Sequence, residues 1–445
     1  MGSKGAAATI TTAEETTAVT AATNIYVPLG GAAPHTFRLE EVVCSHGLFM
    51  MSPNHWDPLS LTFSRPLRLP ESDSVFVSIS HPPGSDSLLV RVHDEASLSS
   101  EQKQAITAQV VRMLRLSEAD EKTAREFREM MGGGGGVNGD GCGGRVFRSP
   151  TLFEDMVKCI LLCNCQWSRT LSMATALCEL QLDDVDAKGS FIPTPPLVKE
   201  SARKRKRSKV SVNVTTKLEE STTHLEVAAG STKESASLVS DGLLDDFCEK
   251  CESVRASNKV DPLVPSKRAG NFPSPGELAK LDEKFLAKKC NLGYRAGRIV
   301  KLAQGIVEGR ISLRQLEETC DNGGDVSCYS ELADQLRHID GFGPFTCANV
   351  LMCMGFYHVI PADSETVRHL KQVHAKASTV QTVQKDVEEI YGKYAPFQFL
   401  AYWAEIWHFY EQRFGKISEM PCSDYKLITA TNMRSKEVNI KKRRP

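Results

Sequence analysis

The chain has 445 residues, of which 41% are hydrophobic, so it can bury a large core and form two or three domains. No apolar run reaches the roughly 18 to 20 residues of a membrane span, and the amino terminus lacks an apolar signal core, which predicts an intracellular protein without a membrane anchor. The formal net charge of -1 conceals three basic clusters, at Ala202–Lys209, Lys280–Lys301 and Lys441–Arg444.

The amino-terminal part of the sequence predicts a tail followed by a small antiparallel sheet. Residues 1–34 are rich in Ala and Thr without periodicity, which favours disorder. Residues 35–131 hold four short segments with partial alternation and then a helix over Gln102–Met131. The four segments read FRLEEVVCSHG, SLTFSRPLRLP, SVFVSISHP and SLLVRVHDE. The glycine run in residues 132–146 predicts a flexible loop.

Helices predominate in the remaining chain, on either side of a polar insertion. Residues 147–182 open with a capping box, in which Thr151 caps a helix and Glu154 reaches back to the cap. Residues 183–268 are polar and partly basic, and they predict a solvated, disordered insertion.

Residues 269–418 predict a helical core, and residues 419–445 predict a basic tail. The core begins with a helix capped by Ser274 and ended by Gly293. Further helices are predicted around Tyr294–Ile306, Leu332–Ile339, Thr346–Met354, Ser364–Val373, Thr379–Tyr391 and Pro396–Phe414.

The 14 cysteines are scattered, which favours buried reduced thiols over disulfides. Cys248 and Cys251 form a lone C-x-x-C pair without a matching second pair, so no metal site is predicted. Core-like positions inside helices are occupied by Cys159, Cys178, Cys347 and Cys353.

The stretch HIDGFGPFTCANVLMCMGFYHVIPADSETVRHL, from His338 to Leu370, places two glycines in a turn between apolar helices. Gly341 and Gly343 allow a tight turn in which backbone N–H groups at the start of the Thr346 helix point outward and can bind a phosphate. The alternative is an ordinary elbow that needs glycine only for its geometry.

Asp363 lies in the sequence Pro-Ala-Asp-Ser-Glu-Thr, which is a strong helix N-cap signal. The cap donors and the helix dipole are expected to keep its carboxylate ionised at neutral pH. Beside a deoxyribose, such a carboxylate can stabilise the positive charge that develops as an N-glycosidic bond breaks, and it can activate water. A purely structural cap is the alternative.

The glycine turn, the following helix, the loop Val359–Pro361 and Asp363 resemble the helix-hairpin-helix and aspartate loop of the helix-hairpin-helix DNA glycosylase superfamily. Ser149–Gln166 and Phe272–Ile306 resemble further parts of that core. The β-rich segment before Gly132 resembles the amino-terminal sheet of the 8-oxoguanine and alkyladenine types. The termini and the insertion lie outside the resemblance.

Phe345 occupies the position at which bifunctional members carry a lysine that forms a Schiff base. It resembles instead the base-stacking aromatic of the alkyladenine type, and the neighbouring Thr346 matches that type too. The resemblance therefore implies a monofunctional glycosylase in which Asp363 activates water and Phe345 lines the base pocket. A core-filling role for Phe345 is the alternative.

Other positions are assigned roles by the same resemblance. Asn164 and Arg169 fall where 8-oxoguanine glycosylases fill the gap left by the flipped nucleotide and read the estranged base, with a helix cap and a surface arginine as alternatives. An aromatic pocket suited to alkylated bases is implied at Tyr402, Trp403 and Ile406. The helical spacing of these aromatics also fits a core, and for Trp403 and Trp407 together the core role is favoured. Contacts to DNA are implied for Thr346, beside the hairpin glycines, and contacts to the DNA backbone for Lys288, Lys289, Arg295 and Arg298.

The resemblance implies no cofactor. Only Cys422 follows Asp363, so the four-cysteine iron–sulfur cluster of endonuclease III relatives is not expected, and a monovalent cation at the hairpin stays open. The implied partners are damaged double-stranded DNA and a downstream AP endonuclease, with the protein a monomer. Arg203–Arg207 and Lys441–Arg444 fit nuclear import signals, which indicates a nuclear location, and they could equally add nonspecific affinity for phosphate.

The sequence thus predicts an α+β fold, with a small N-terminal antiparallel sheet and two mostly α-helical subdomains that carry a helix-hairpin-helix motif. The predicted function is that of a nuclear, monofunctional DNA glycosylase of base excision repair that acts on a damaged purine, with an alkylated purine as the expected substrate. The alternatives are an 8-oxoguanine-type glycosylase with lyase activity and a catalytically silent DNA-binding protein.

Overall fold

The computed structural model describes residues 22–31, 37–70, 74–93, 95, 97–132, 143–188, 270–321 and 326–433. Outside them lie the basic segments Arg203–Arg207 and Lys441–Arg444, the Cys248 and Cys251 pair, and nearly all of the predicted insertion. None of the described helices combines the length and the apolar character needed to cross a lipid bilayer.

The amino-terminal sheet has five antiparallel strands in the order β1-β5-β4-β3-β2. They are β1 (Ala22–Pro28), β2 (His55–Asp57), β3 (Thr62–Arg68), β4 (Ser74–Ser80) and β5 (Ser87–His93). Two predictions for the amino-terminal part are wrong, one for the tail and one for the first predicted strand segment. The outermost strand β1 lies within the segment predicted as a disordered tail, where Ile25 and Val27 alternate into the core.

The first predicted strand segment forms a short helix instead, α1 (Leu39–Val43). Its buried side chains Leu39, Val42 and Val43 follow the three-to-four-residue spacing of a helix face rather than the alternation of a strand. A 3₁₀ turn follows at Gly47–Met50.

The predicted helix over residues 102–131 is two helices, α2 (Ser100–Leu114) and α3 (Glu118–Gly132). Arg115 interrupts them with a left-handed backbone, φ +56°. Its buried guanidinium donates to the carbonyl oxygens of Val146, Met352 and Cys353, so the break ties the sheet region to the helical core.

The helices α4 (Leu152–Leu162) and α5 (Trp167–Lys188) follow. Thr151 caps α4 as predicted, accepting from the N–H of Glu154 at 3.2 Å. The reciprocal half of the predicted capping box is wrong, because Glu154 turns into the core and pairs with Arg65 and Lys158, each at 2.8 Å.

The second half of the described chain is helical, as predicted. The single helix expected from Ser274 to Gly293 is instead two short helices, α6 and α7. A further helix, α9, was not predicted from the sequence. The helices are α6 (Pro275–Leu278), α7 (Glu283–Lys289), α8 (Arg295–Val307), α9 (Leu313–Asp321), α10 (Val326–Arg337), α11 (Pro344–Met354), α12 (Ser364–Val373), α13 (Val383–Tyr391), α14 (Gln398–Phe414) and α15 (Ala430–Met433).

The fold class is α+β, which confirms the prediction. Buried, unpaired thiols are likewise confirmed for the four cysteines placed in helices by the sequence: Cys159, Cys178, Cys347 and Cys353. Two tryptophans join the carboxy-terminal part to the sheet region: Trp403 donates through Nε1 to the carbonyl oxygen of Ser45, and Trp56 donates to that of Ser418, both at 2.8 Å.

Candidate active site

A cavity of about 620 Å³ opens between the α4–α5 turn, the Gly47–Met50 turn, the starts of α11 and α12, and one face of α14. This volume falls within the range of small-molecule sites. Six residues that the sequence singled out line it: Asn164, Phe345, Asp363, Tyr402, Trp403 and Ile406. Residues more than two hundred positions apart therefore meet around one space.

Asp363 is the N-cap of α12, and its two carboxylate oxygens have different surroundings. Oδ1 accepts hydrogen bonds from the N–H groups of Glu365 and Thr366, both at 2.9 Å, and from the Thr366 hydroxyl at 3.2 Å. Within the described part of the chain, Oδ2 has no hydrogen-bond partner. One oxygen anchors the side chain, and the other is left for a ligand.

The pKa of Asp363 is raised above its ordinary value of 3.8, chiefly because protein atoms surround the carboxylate and displace water. The side chain nevertheless stays open to the cavity. The hydrogen bonds from Thr366 and Glu365 lower the pKa, and the charge of Glu365 raises it. From the sequence we expect the hydrogen bonds of the helix cap to have the largest effect on the pKa of Asp363. In the structure the loss of water around the carboxylate has the larger effect, so the pKa is raised.

Thr366 links Asp363 to the aromatic wall of the cavity. Its hydroxyl lies 2.8 Å from the phenol oxygen of Tyr402 and donates to Asp363 Oδ1. Burial raises the pKa of Tyr402 well above its usual range, so the phenol remains protonated and can donate to Thr366. This chain of hydrogen bonds fixes the direction of the Asp363 carboxylate.

A second cluster fixes the far end of α12. Glu405 on α14 accepts at Oε1 from His369 at 2.8 Å, from His374 at 2.6 Å and from Tyr391 at 2.8 Å. The trio of His369, His374 and Glu405 has the donor types of a metal site. Its spacings are those of hydrogen bonds, whereas the ligands of a tetrahedral zinc ion lie roughly 3.3 to 3.5 Å apart. The cluster is therefore best described as a clamp between α12 and α14.

The glycine turn between α10 and α11 has the geometry that the sequence predicts. Gly341 has φ +85°, and a Cβ there would lie 2.4 Å from Cδ of Arg298, so both the backbone and the close packing require glycine. Gly343 is the N-cap of α11 and no side chain caps this helix. Among the described residues the N–H groups of Gly343 and Phe345 have no acceptor.

Two residues with a predicted DNA contact have structural roles instead. The side chain of Thr346 is buried, with its hydroxyl 3.1 Å from Sγ of Cys163, so only its backbone can face DNA. Arg295 is also buried, and its guanidinium donates to the carbonyl oxygens of Cys163 and Asn164. These predictions are wrong for the two side chains, because both fill the interior between α4, α8 and α11.

The buried Arg295 has a consequence for Asn164. Arg295 holds the α4–α5 turn in place through its hydrogen bonds to the backbone carbonyls there. The Tyr294 hydroxyl also donates to the carbonyl of Cys163, at 3.3 Å. Asn164 adopts the left-handed conformation, φ +45°, and is exposed at the cavity. Asparagine tolerates this conformation better than most residues.

The other predicted DNA contacts lie outside the cavity. Arg169 is exposed and donates to the carbonyl of Asn291 at 3.2 Å, while Arg298 is half-buried with its guanidinium 4.7 Å from the ring centre of Tyr294. Two exposed lysines end α7, Lys288 and Lys289.

Two cavity residues carried no signal in the sequence. His46 lies in a segment that reads as a strand, and no motif contains it; its burial and the nearby Arg115 charge lower its pKa to about 3. Glu365 lines the cavity and accepts from Arg368 and Tyr410, each at 2.8 Å. Of the described residues that line the cavity, Asp363 and Glu365 are acidic and none is Lys or Arg.

No protein-family model matches the sequence, and no curated protein matches it. Among solved structures, the chain is similar to one described as MBOgg1 in complex with a low affinity DNA ligand, at 16% identity over 86% of this chain and 93% of that one, with a TM-score of 0.47. It is also similar to the Clostridium acetobutylicum 8-oxoguanine glycosylase/lyase in complex with dsDNA, at 13% identity over 84% and 92% of the two chains, with a TM-score of 0.46.

A third similar structure is the 3-methyladenine DNA-glycosylase from Archaeoglobus fulgidus, at 15% identity over 88% of this chain and 99% of that one, with a TM-score of 0.45. These neighbours are DNA glycosylases. At such identities the function of this chain has to be inferred from the residues of its cavity.

Proposed function

We propose that the protein is a monofunctional DNA glycosylase that removes an alkylated purine from duplex DNA. The observation that carries this proposal is Asp363: one oxygen is fixed by the start of α12 and Thr366, the other has no hydrogen-bond partner among the described residues, and the side chain lines an aromatic cavity. A carboxylate held in this way beside a flipped nucleotide can serve both as base and as electrostatic stabiliser.

In the proposed reaction the bond between sugar C1′ and the base nitrogen breaks, and its electron pair leaves with the base. Positive charge develops at C1′, where the carboxylate of Asp363 stabilises it. A water molecule bonds to C1′, and Asp363 takes one of its protons. The products are an abasic site and the free base.

Among the described residues that line the cavity, neither His46 nor Tyr402 is suited to protonate a poor leaving group. His46 has a pKa of about 3 and is neutral at physiological pH, while the pKa of Tyr402 lies well above its usual range. A purine that already carries positive charge through alkylation needs no such acid, because it leaves as a neutral base. The aromatic walls and the carboxylates Asp363 and Glu365 also favour a cationic ring.

Phe345 supports the absence of lyase chemistry. A Schiff base to the sugar requires an amine, and Phe345 stands at the hairpin position at which a lysine would supply one. The described residues lining the cavity include no lysine at all. An 8-oxoguanine-type glycosylase/lyase is therefore not favoured.

Two of the proposed DNA contacts, Asn164 and Phe345, belong to residues that line the cavity. The free N–H groups of Gly343 and Phe345 would bind a phosphate, and Asn164 would enter the gap left by the flipped nucleotide. Exposed cations add nonspecific affinity. We further propose that a monomeric enzyme works in the nucleus and passes its abasic product to an AP endonuclease.

The test is a panel of duplexes, each with one 3-methyladenine-like, 7-methylguanine, hypoxanthine, ethenoadenine, uracil or 8-oxoguanine lesion, incubated with the full chain and analysed with and without alkali. We expect strand breaks only after alkali, and only with alkylated purines. Breaks without alkali, together with borohydride trapping of a protein–DNA adduct, would instead establish lyase activity. Binding to every duplex without excision would establish a catalytically silent DNA-binding protein.

A further inference from the structure

His46 forms part of the cavity wall and is held rigidly there. Its ring centre lies 4.4 Å from that of Trp403 and 6.3 Å from that of Phe399. The preceding residue, Ser45, accepts the indole N–H of Trp403 through its carbonyl oxygen at 2.8 Å. The side chain is buried by its neighbours, yet it lines the cavity.

The hydrogen bonding of the ring fixes its tautomer. Nδ1 accepts from the backbone N–H of Leu48 at 3.4 Å, so the proton of the neutral imidazole is on Nε2. Burial and the positive charge of Arg115 lower the pKa of His46 to about 3, and the ring therefore stays neutral. No described residue accepts a hydrogen bond from Nε2.

An N–H donor that has no acceptor among the described residues, in a side chain that lines a cavity, is a candidate for pairing with a ligand. We infer that the Nε2–H of His46 donates a hydrogen bond to an in-plane lone pair on the edge of the flipped purine, which makes His46 a base-recognition residue. This inference rests on the proposed function and names a group that selects the substrate within the same cavity.

The chemistry of the ligand follows from the donor. The acceptor is a ring nitrogen or an exocyclic oxygen of the purine that alkylation has left free. An uncharged donor supplies this hydrogen bond without repelling a cationic base, whereas a Lys, an Arg or a protonated His at the same place would repel it. His46 thus combines hydrogen-bond selectivity with tolerance for positive charge.

The test compares His46→Phe, which keeps an aromatic ring but removes the donor, with His46→Gln, which restores an N–H donor. His55→Phe is the matched control, because His55 is exposed on β2 and does not line the cavity. One assay measures single-turnover excision of 7-methylguanine from a duplex. The other titrates free 3-methyladenine and follows tryptophan fluorescence, since Trp167, Trp403 and Trp407 line the cavity.

We expect His46→Phe to weaken binding of free 3-methyladenine and to slow excision, each by about tenfold. His46→Gln should recover most of both losses, and His55→Phe should behave as the unmodified protein. A purely structural role would lower the melting temperature of both His46 variants without recovery by Gln, and that result would overturn the inference.

The inference and the proposed function fail in different ways. If the unmodified protein excises 7-methylguanine and His46→Phe does so equally well, the role of His46 is wrong and the enzyme stands. If the unmodified protein excises no lesion, the proposed function fails and the role of His46 falls with it.

Discussion

The helices α11 and α12 begin at the same cavity and use their N-termini in opposite ways. Each exposes backbone N–H groups and the positive end of a helix dipole. In α12 the carboxylate of Asp363 occupies this end and accepts two N–H groups. In α11 the N-cap is Gly343, no side chain takes that place, and the following residue is proline.

One feature of helix geometry therefore serves two tasks in this protein. A helix start that is already filled by its own carboxylate cannot bind a phosphate, but it holds that carboxylate in a fixed direction. A helix start without a side-chain acceptor leaves its donors for an anion from outside. Substitutions at the start of α12 should therefore reduce excision, whereas substitutions at the start of α11 should reduce DNA affinity.

The largest effect is expected from Asp363→Asn. Asparagine caps a helix as well as aspartate, so the fold should be retained while the base and the negative charge are removed. We expect excision of an alkylated purine to fall by roughly 10³-fold or more, with DNA binding unchanged. Single-turnover kinetics and a binding titration measure the two quantities.

Asp282 provides the matched control for this substitution. It is the N-cap of α7, accepts from the N–H of Phe285 at 2.9 Å and does not line the cavity. Asp282→Asn should leave excision unchanged. Excision retained by Asp363→Asn would remove the proposed mechanism.

Gly343→Asp should make the start of α11 resemble that of α12. A Cβ at Gly343 meets no atom within 4 Å, and the backbone there, φ -82°, suits any residue. The new carboxylate would accept the free N–H groups and repel a phosphate, so we expect DNA affinity to fall by roughly tenfold or more with an unchanged or higher melting temperature.

Gly343→Asn separates the two effects of that change, since it caps the helix without adding charge, and it should lose less affinity. Equal binding by Gly343→Asp and the unmodified protein would show that the hairpin does not face DNA.

The pH dependence tests the environment of Asp363. Because its pKa is raised in the folded protein, the acid limb of excision should have its midpoint above the ordinary pKa of 3.8, and the rate should fall by about tenfold per pH unit below that midpoint. A 7-methylguanine duplex is the substrate, and a reaction without protein corrects for spontaneous depurination. A midpoint at or below 3.8 would contradict the burial of the carboxylate.

The same shift has a consequence for stability, with a definite sign. A carboxyl whose pKa is raised by folding is more readily ionised in the unfolded chain, so its ionised form destabilises the native state above the folded pKa. This cost disappears below the unfolded pKa. Asp363→Asn should therefore have a higher melting temperature than the unmodified protein at pH 7, and the difference should shrink as the pH approaches 4.

The smallest effect distinguishes a phosphate contact from a structural cation. Lys288→Ala should weaken DNA binding only a few-fold and reduce the slope of log affinity against log salt by about 0.9. Arg295→Met should leave that slope unchanged and lower the stability by about 1 to 3 kcal/mol, because the carbonyl oxygens of Cys163 and Asn164 lose a donor. The opposite pattern would reassign the two residues.

Local signals explain which elements could be predicted from the sequence. The spacing of apolar residues and the cap at Asp363 give α12 its observed bounds, and two glycines mark the turn before α11. Local signals failed where distant partners decide the outcome. The break at Arg115 depends on carbonyls that come from residues as far away as Met352, and Glu154 leaves its capping box for Arg65.

The class of fold, the glycine hairpin and a capping aspartate at a fixed distance from it could all be predicted from the sequence, because they depend on backbone conformation and on neighbours within a few residues. The shared pocket of Asp363, Phe345 and α14 was implied only by the family resemblance, and the interior position of Arg295 and the place of His46 in the cavity wall became visible only in the folded chain. The charge and accessibility of a side chain depend on what the distant chain packs around it, and no local pattern records that.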